Sequence, residues 1–322
     1  MNMENLVANA FSQQAGTTGV VVHDRRSTEA LLAFPALVAA LDVALQEYAQ
    51  GAILSPERQV VRLQGDGVML SMPAAAADIA IHKLVNVNPQ NKHLGLPTIH
   101  GQVSVFDATT GAPQFILDGP AVTGRRTAAM SMLGVRTLSA SGPREVLMIG
   151  TGTQARYHLQ ALATLYPDCL VWVRGSSPAS SEKFCADNRA LHPAMRVCDA
   201  GAVPDGVDLV ITATTSLKAC YTAPGLAGRL VIGVGAFRPD MAEIGAQTLA
   251  DSDIYVDDIH GAPHEAGDVI QAGVDWARVR PLAAARASRP DLTRPIVFKT
   301  VGSAAWDLAA CRVANAALQS GV

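Results

Sequence analysis

The stretch EVLMIGTGTQA, residues 145–155, decides the fold. Its apolar run ends at Gly150, and a helical pattern, TQARYHLQALATLY, opens at Thr153. The turn between them fits G-x-G-x-x-(G/A) at Gly150, Gly152 and Ala155. Gly150 allows a tight turn. Gly152 has no Cβ, so a pyrophosphate can approach the backbone, and Ala155 is small enough for close helix–strand packing. The N–H groups of Thr153 and Gln154 then face the phosphates at the positive end of the helix. Short glycine patterns also recur in ordinary turns. The weight here comes from the preceding strand, the following helix and a second apolar strand, CLVWVRG, that ends at Gly175.

Downstream of this unit, strands alternate with helices. SSEKFCADNRAL reads as a helix, and MRVCD, VDLVITAT, RLVIGVG and DIYVDD read as strands. That alternation predicts an α/β class with a doubly wound parallel Rossmann sheet. Upstream, residues 31–48 carry apolar residues at helical spacing with Pro35 near the start. RQVVRL, VMLSMPA, IAIHKLVNV, GQVSVFDATTG and APQFILDG are strand-like, with DATTG as a hairpin turn. Residues 123–138 read as a helix with Thr123 as N-cap. Residues 1–18 read as a loose start. The predicted division is a Rossmann domain at 121–297 and a discontinuous α+β substrate and dimerisation domain at 1–120 and 298–322.

Composition narrows the function. The chain has 322 residues, 49% hydrophobic and 16% charged, with a net charge of -3. There is no basic run to neutralise several phosphates, which argues against nucleic acid as partner. No apolar stretch reaches the roughly 20 residues of a membrane helix, and the N-terminus lacks a signal pattern. The five cysteines show no CxxC spacing. The expectation is a soluble cytoplasmic protein with unpaired thiols.

The end of the second strand of a Rossmann unit selects the cofactor. Here it reads Val171-Trp172-Val173-Arg174-Gly175-Ser176-Ser177, without a carboxylate. Arg174, Ser176 and Ser177 are candidate contacts to a 2′-phosphate, so NADP(H) is preferred and NAD(H) remains open. In the first region three cations stand out: Arg58 at a strand start, Lys83 inside an apolar strand and Arg126 at a helix start. A lysine inside an apolar strand is costly unless it has a partner or a task. A snorkelling side chain or an ordinary salt bridge is the plain alternative for each. His264-Glu265 begins like a zinc-protease motif, but Asp268 stands where the second histidine belongs, so no metal is expected.

The ordered segments MPA (72–74), HKLVNVNPQN (82–91), GLPT (95–98), DATTGAP (107–113), LDGPAVTGRRTAA (117–129) and GTGTQA (150–155) resemble the ornithine cyclodeaminase/μ-crystallin family. VGAFRPDMAEI (234–244), HEAGD (264–268) and FKTVGSAAWDLAA (298–310) complete the resemblance, which covers more than three quarters of the chain. It implies a homodimer with the active site between the two domains. It implies that Arg58, Lys83 and Arg126 hold a substrate carboxylate, with Lys83 for acid/base work and Val301 beside the substrate. It places Thr98, Thr153, Gln154, Thr214, Gly233, Val234, Gly235 and Thr300 along the cofactor. One departure matters: ornithine cyclodeaminases carry an aspartate two residues before the proline of this segment, where Phe237 stands here. Without that acid the resemblance points to the family's ketimine reductases. Their substrates are cyclic imino acids such as Δ1-pyrroline-2-carboxylate or Δ1-piperideine-2-carboxylate, reduced to L-proline or L-pipecolate. An alanine-type amino-acid dehydrogenase, ornithine cyclodeaminase itself and a non-catalytic NADPH-dependent ligand-binding protein are the alternatives.

Overall fold

Alternating apolar residues build the first sheet. It contains β1 (Val21–Val22), β2 (Gln59–Arg62), β3 (Val68–Ala75), β4 (Ile79–Val87), β5 (Ile99–Asp107) and β6 (Pro113–Asp118), in the order β1-β6-β5-β4-β3-β2. The computed structural model describes residues 19–321, so the loose start read at 1–18 lies outside the described residues. β2 to β6 pair antiparallel, and the DATTG turn closes the β5–β6 hairpin. Period-two alternation puts Ile79, Ile81, Lys83 and Val85 of β4 on its buried face. His82 points to the other face, where its Nε2 lies 2.8 Å from Ser71 Oγ.

The helix read at 31–48 runs Phe34–Ala49, and a separate short helix, Arg25–Leu31, precedes it. Pro35 sits in the first turn of the second, where its missing N–H costs nothing. The next helix runs Gly119–Leu138 and starts earlier than expected. Asp118 caps it by accepting from Ala121 N at 2.7 Å, and the Thr123 hydroxyl instead donates to Gly119 O inside the helix. This helix packs on both sheets.

The second sheet has eight strands, all parallel, in the order β13-β12-β14-β11-β10-β7-β8-β9. Its members are β7 (Glu145–Ile149), β8 (Leu170–Arg174), β9 (Met195–Val197), β10 (Leu209–Thr212), β11 (Leu230–Gly233), β12 (Asp253–Val256), β13 (Val279–Pro281) and β14 (Ile296–Lys299). After β7 the chain winds to β8 and β9, then returns to the other flank of β7 through β10. That reversal is the topological switch point, where ligands of such sheets bind outside the carboxyl strand ends.

The expected boundary at 297/298 falls inside β14, a central strand of the parallel sheet that is buried along its length. The chain therefore leaves this sheet after Lys299. The following helix, Ala304–Gln319, packs against β3, β4 and helix Phe34–Ala49. It buries Trp306, Leu308 and Ala309 completely. A fully buried leucine-sized side chain contributes about 1.5–3 kcal/mol, which anchors this helix on the first sheet. Among the described residues, no single helix is long and apolar enough to cross a membrane.

Candidate active site

The glycine turn after β7 has the geometry a pyrophosphate needs. Gly150 has φ +121°, and a Cβ there would meet Ala213 O at 2.3 Å. Gly152 caps helix Thr153–Leu165, with no side chain bonding the first N–H groups. A Cβ on Gly152 would meet nothing within 4 Å, so the space over the helix start is open. Gln154 Oε1 is buried and lacks a hydrogen-bond partner, which marks an acceptor left for a ligand donor. These residues fit a dinucleotide.

The neighbouring strand ends are tied together by a buried carboxylate. Glu243 accepts from Thr214 N at 2.5 Å, Gly235 N at 2.6 Å and Thr212 Oγ1 at 3.0 Å. A Cβ on Gly235 would run into Thr214 O. Asp268 in turn accepts from Glu243 N and from Ile244 N. Its second oxygen lies 3.0 Å from the fully buried Lys299 Nζ, close but without hydrogen-bond alignment. Thr300 N donates to Gly233 O at 2.9 Å. The loops after β10, β11 and β14 thus form one rigid edge beside the 150–155 turn.

That edge leads into the cations. Lys83 Nζ donates to both oxygens of Asp307, at 3.0 Å each, and Arg126 Nε donates to Asp307 Oδ1 at 3.2 Å. Arg58 Nη2 donates to Glu265 Oε2 at 2.8 Å and to Gly302 O at 3.0 Å. Gly302 adopts φ +85°, and a Cβ there would sit 2.9 Å from Arg126 Nη2. Glycine is therefore required for the guanidinium to lie along this loop. Asp257 organises the loop from beneath by accepting from Val301 N at 2.8 Å, Gly302 N at 3.0 Å and Trp306 Nε1 at 3.2 Å. The loop that meets these cations begins on β14, three strand spacings from β7, or about 14 Å.

Electrostatics set the protonation states. Burial pulls the Lys83 ammonium down to about 8, against the pull of Asp307, with Arg126 and Arg58 lowering it further. Burial pushes the Glu265 carboxyl up to about 7, although Arg58 opposes the shift. Burial also raises Asp257. Lys83 and Arg126 are thus held by Asp307 and Arg58 by Glu265, with Asp257 and Asp258 close by.

Three expected residues need correction or qualification. Arg174 does not reach outward: its Nη1 donates to Ala202 O at 3.0 Å and its Nη2 to Cys220 O at 2.8 Å. These two carbonyls hold its guanidinium, so it is not free for a 2′-phosphate. Ser177 is exposed but caps helix Pro178–Asn188 in a reciprocal pair with Ser180. Thr98 is exposed ahead of β5, and its carbonyl accepts from Asn88 N. Ser176 is exposed beside the helix start, and Val301 is buried next to Gly302. Asp307, Asp257 and Glu243 are not singled out by the sequence, although each lies in or beside a quoted motif, and Glu265 is read there only as the start of a zinc-protease-like pattern. Among the described residues no group of three His, Cys, Asp or Glu side chains is placed to hold a metal ion.

Residues 19–321 match the model of the ornithine cyclodeaminase/mu-crystallin family. The chain belongs to that family. It is 54% identical to Delta(1)-pyrroline-2-carboxylate reductase 2 of Burkholderia ambifaria, over 92% of this chain and 96% of the relative. It is 53% identical to the Delta(1)-pyrroline-2-carboxylate/Delta(1)-piperideine-2-carboxylate reductase of Azospirillum brasilense, over 93% of this chain and 96% of that protein. Among solved structures it resembles Thermococcus litoralis Delta(1)-pyrroline-2-carboxylate reductase in complex with NADH and L-proline. There the TM-score is 0.84 at 25% identity, covering 94% of this chain and 99% of the other. Phe237, two residues before Pro239, stands partly exposed.

Proposed function

We propose that this protein is an NAD(P)H-dependent reductase of cyclic imino acids, forming L-proline from Δ1-pyrroline-2-carboxylate or L-pipecolate from Δ1-piperideine-2-carboxylate. One observation carries the reading: a single buried carboxylate, Asp307, clamps Lys83 and Arg126 together beside Arg58, at the carboxyl edge of a nucleotide-binding sheet. The kinship to pyrroline-2-carboxylate reductases supports it.

A reduced nicotinamide held by this edge supplies hydride. Gly150, Gly152, Thr153, Gln154, Ala155, Thr214, Gly233, Val234, Gly235, Thr300 and Thr98 would hold it. Arg58 and Arg126 bind the imino-acid carboxylate, and Val301 bounds the ring. Lys83 orients the imine and gives a proton to the ring nitrogen as hydride arrives at C2. Fixed charge of this kind needs no reorganisation during reaction. The test mixes the protein with Δ1-pyrroline-2-carboxylate and NADPH and follows nicotinamide absorbance. The expected result is oxidation dependent on the imine and independent of ammonia. Ammonia dependence points to an amino-acid dehydrogenase instead. Tight nucleotide binding without turnover points to a ligand-binding protein.

NADPH is the preferred coenzyme in this reading, because no carboxylate follows β8 to repel a 2′-phosphate. With Arg174 turned inward, the contacts fall to Ser176 and Ser177. Ser176→Asp is expected to lower kcat/KM for NADPH by at least about tenfold, and to change the NADH value less. Equal losses with both coenzymes contradict this assignment.

Glu265 brings pH dependence. Its carboxylate competes with the substrate carboxylate for Arg58, and it competes only when ionised. KM for the imino acid is therefore expected to rise as pH passes about 7. In Glu265→Gln the rise across that window disappears, as steady-state assays from acid to neutral pH will read.

The protein acts as a homodimer through the uncovered face of the first sheet. Val61 of β2 stands exposed on that face, and Leu84 and Phe106 beside it are only half-buried. Sedimentation equilibrium near twice 33.6 kDa checks this.

A further inference from the structure

We propose that Asp307 is a positioning residue of the reductase site, the shared anion that fixes Lys83 and Arg126 as one unit and keeps Lys83 an ammonium. The proposal rests on the reductase reading for its kinetic consequences and on geometry for the rest.

Asp307 is fully buried in the first turn of helix Ala304–Gln319. Both oxygens bind Lys83, and one is shared with Arg126, so the carboxylate sits between two cations from two other elements. Lys83 is itself buried on β4, and burial alone drives it toward the neutral amine. The charged and titratable groups around it are few. Arg126 approaches from helix Gly119–Leu138, and Arg58 approaches from the segment ahead of β2. Both disfavour the ammonium. Cys311 lies one helical turn beyond Asp307, and burial pushes its thiol up, so it stays neutral. Glu265 is spent on Arg58, and Asp257 on the Val301–Gly302 backbone. Among the described residues, Asp307 is the one carboxylate hydrogen-bonded to Lys83.

The ammonium sits symmetrically over the Asp307 carboxylate, 3.0 Å from each oxygen, which orients its remaining N–H groups. A carboxylate that only filled a packing gap would not need to touch both cations. Removing its charge leaves three cations facing one another, and the cheapest relief is loss of the Lys83 proton. The ammonium is the form that donates to the imine nitrogen, so activity then falls off at lower pH.

The experiment compares the wild type with Asp307→Asn in two readouts. One is the pH profile of kcat. The other, independent of turnover, is calorimetric binding of pyrrole-2-carboxylate, a planar ring carboxylate without a basic nitrogen. With Glu265→Gln in both proteins, which removes the step at about pH 7, both readouts are expected to decline above about pH 8 where Asp307 is present. In Asp307→Asn both declines move down by at least about one pH unit, while affinity at low pH is retained or improved. A folded Asp307→Asn whose declines coincide with the wild type's overturns the proposal. Where that variant fails to fold, Asp307→Glu decides. It retains the charge but displaces it, so the declines stay in place while kcat drops at least about tenfold and KM changes less. Wild-type kcat in Asp307→Glu overturns the proposal. A wild type that binds pyrrole-2-carboxylate with this pH dependence but turns over no imine rejects the reductase reading and leaves the role of Asp307 standing.

Discussion

Lys83→Met is expected to lower kcat for reduction of Δ1-pyrroline-2-carboxylate by about 100-fold to 10,000-fold, the range for loss of a positioned proton donor. KM is expected to change far less, because Arg58 and Arg126 remain to hold the carboxylate. Methionine matches the length of the lysine stem and fills the same buried slot on β4. The substitution leaves Asp307 paired to Arg126, so the carboxylate is not orphaned. Removing one partner of a buried pair still costs up to about 3–5 kcal/mol, so the melting temperature is measured beside the kinetics. A folded variant with kcat within a few-fold of the wild type assigns the proton to another group and contradicts the account.

Gly152→Val separates binding from folding. The backbone at Gly152 is extended, φ -90° and ψ -168°, which valine adopts without strain. A Cβ there meets no neighbouring atom, so melting is expected to shift by no more than a lost N-cap's worth, about 1 kcal/mol. The added branches occupy the space for the pyrophosphate and shield the helix N–H groups. Two charge-assisted hydrogen bonds at about 1.5–3 kcal/mol each put the loss of NADPH affinity at roughly 100-fold or more. Calorimetric titration of the folded variant checks it. Retained NADPH affinity moves the coenzyme away from this turn.

Most of the fold was legible because its signals are local. β7, β8, β10, β11 and β12 are short, mainly apolar runs ended by a turn signal, and the glycine turn sits where the pattern demands. The errors came where short-range signals compete. The helix Gly119–Leu138 has a strong start in LDGP, with Asp118 as cap and Pro120 in the first turn, yet Thr123 offered a rival cap. The helix read at 31–48 starts three residues late in the structure, because Pro35 favours its first turn and Leu32 O is taken by Arg125. IVFK reads equally well as a strand of either domain, and only the pairing of β14 with β11 and β12 settles it.

The site was half legible. Lys83 stood out because a charge in an apolar strand demands a reason. Its reason, Asp307, lies 224 positions away, and no window of sequence connects them. The same holds for Arg58 and Glu265, separated by 207 positions. Arg174 misled because a basic residue at a strand end looks solvated, while the fold turns it onto two carbonyls. Buried carboxylates such as Glu243 and Asp257 look like surface residues in a sequence, because their partners are backbone N–H groups that every residue carries.

The most direct measurement follows deuterium from NADPH labelled at the transferring position of the nicotinamide, incubated with the protein and Δ1-pyrroline-2-carboxylate. The account predicts L-proline carrying one deuterium at C2, formed in step with nicotinamide oxidation and without added ammonia. Unlabelled product, or no consumption of NADPH while ornithine is converted to proline and ammonia, would contradict it.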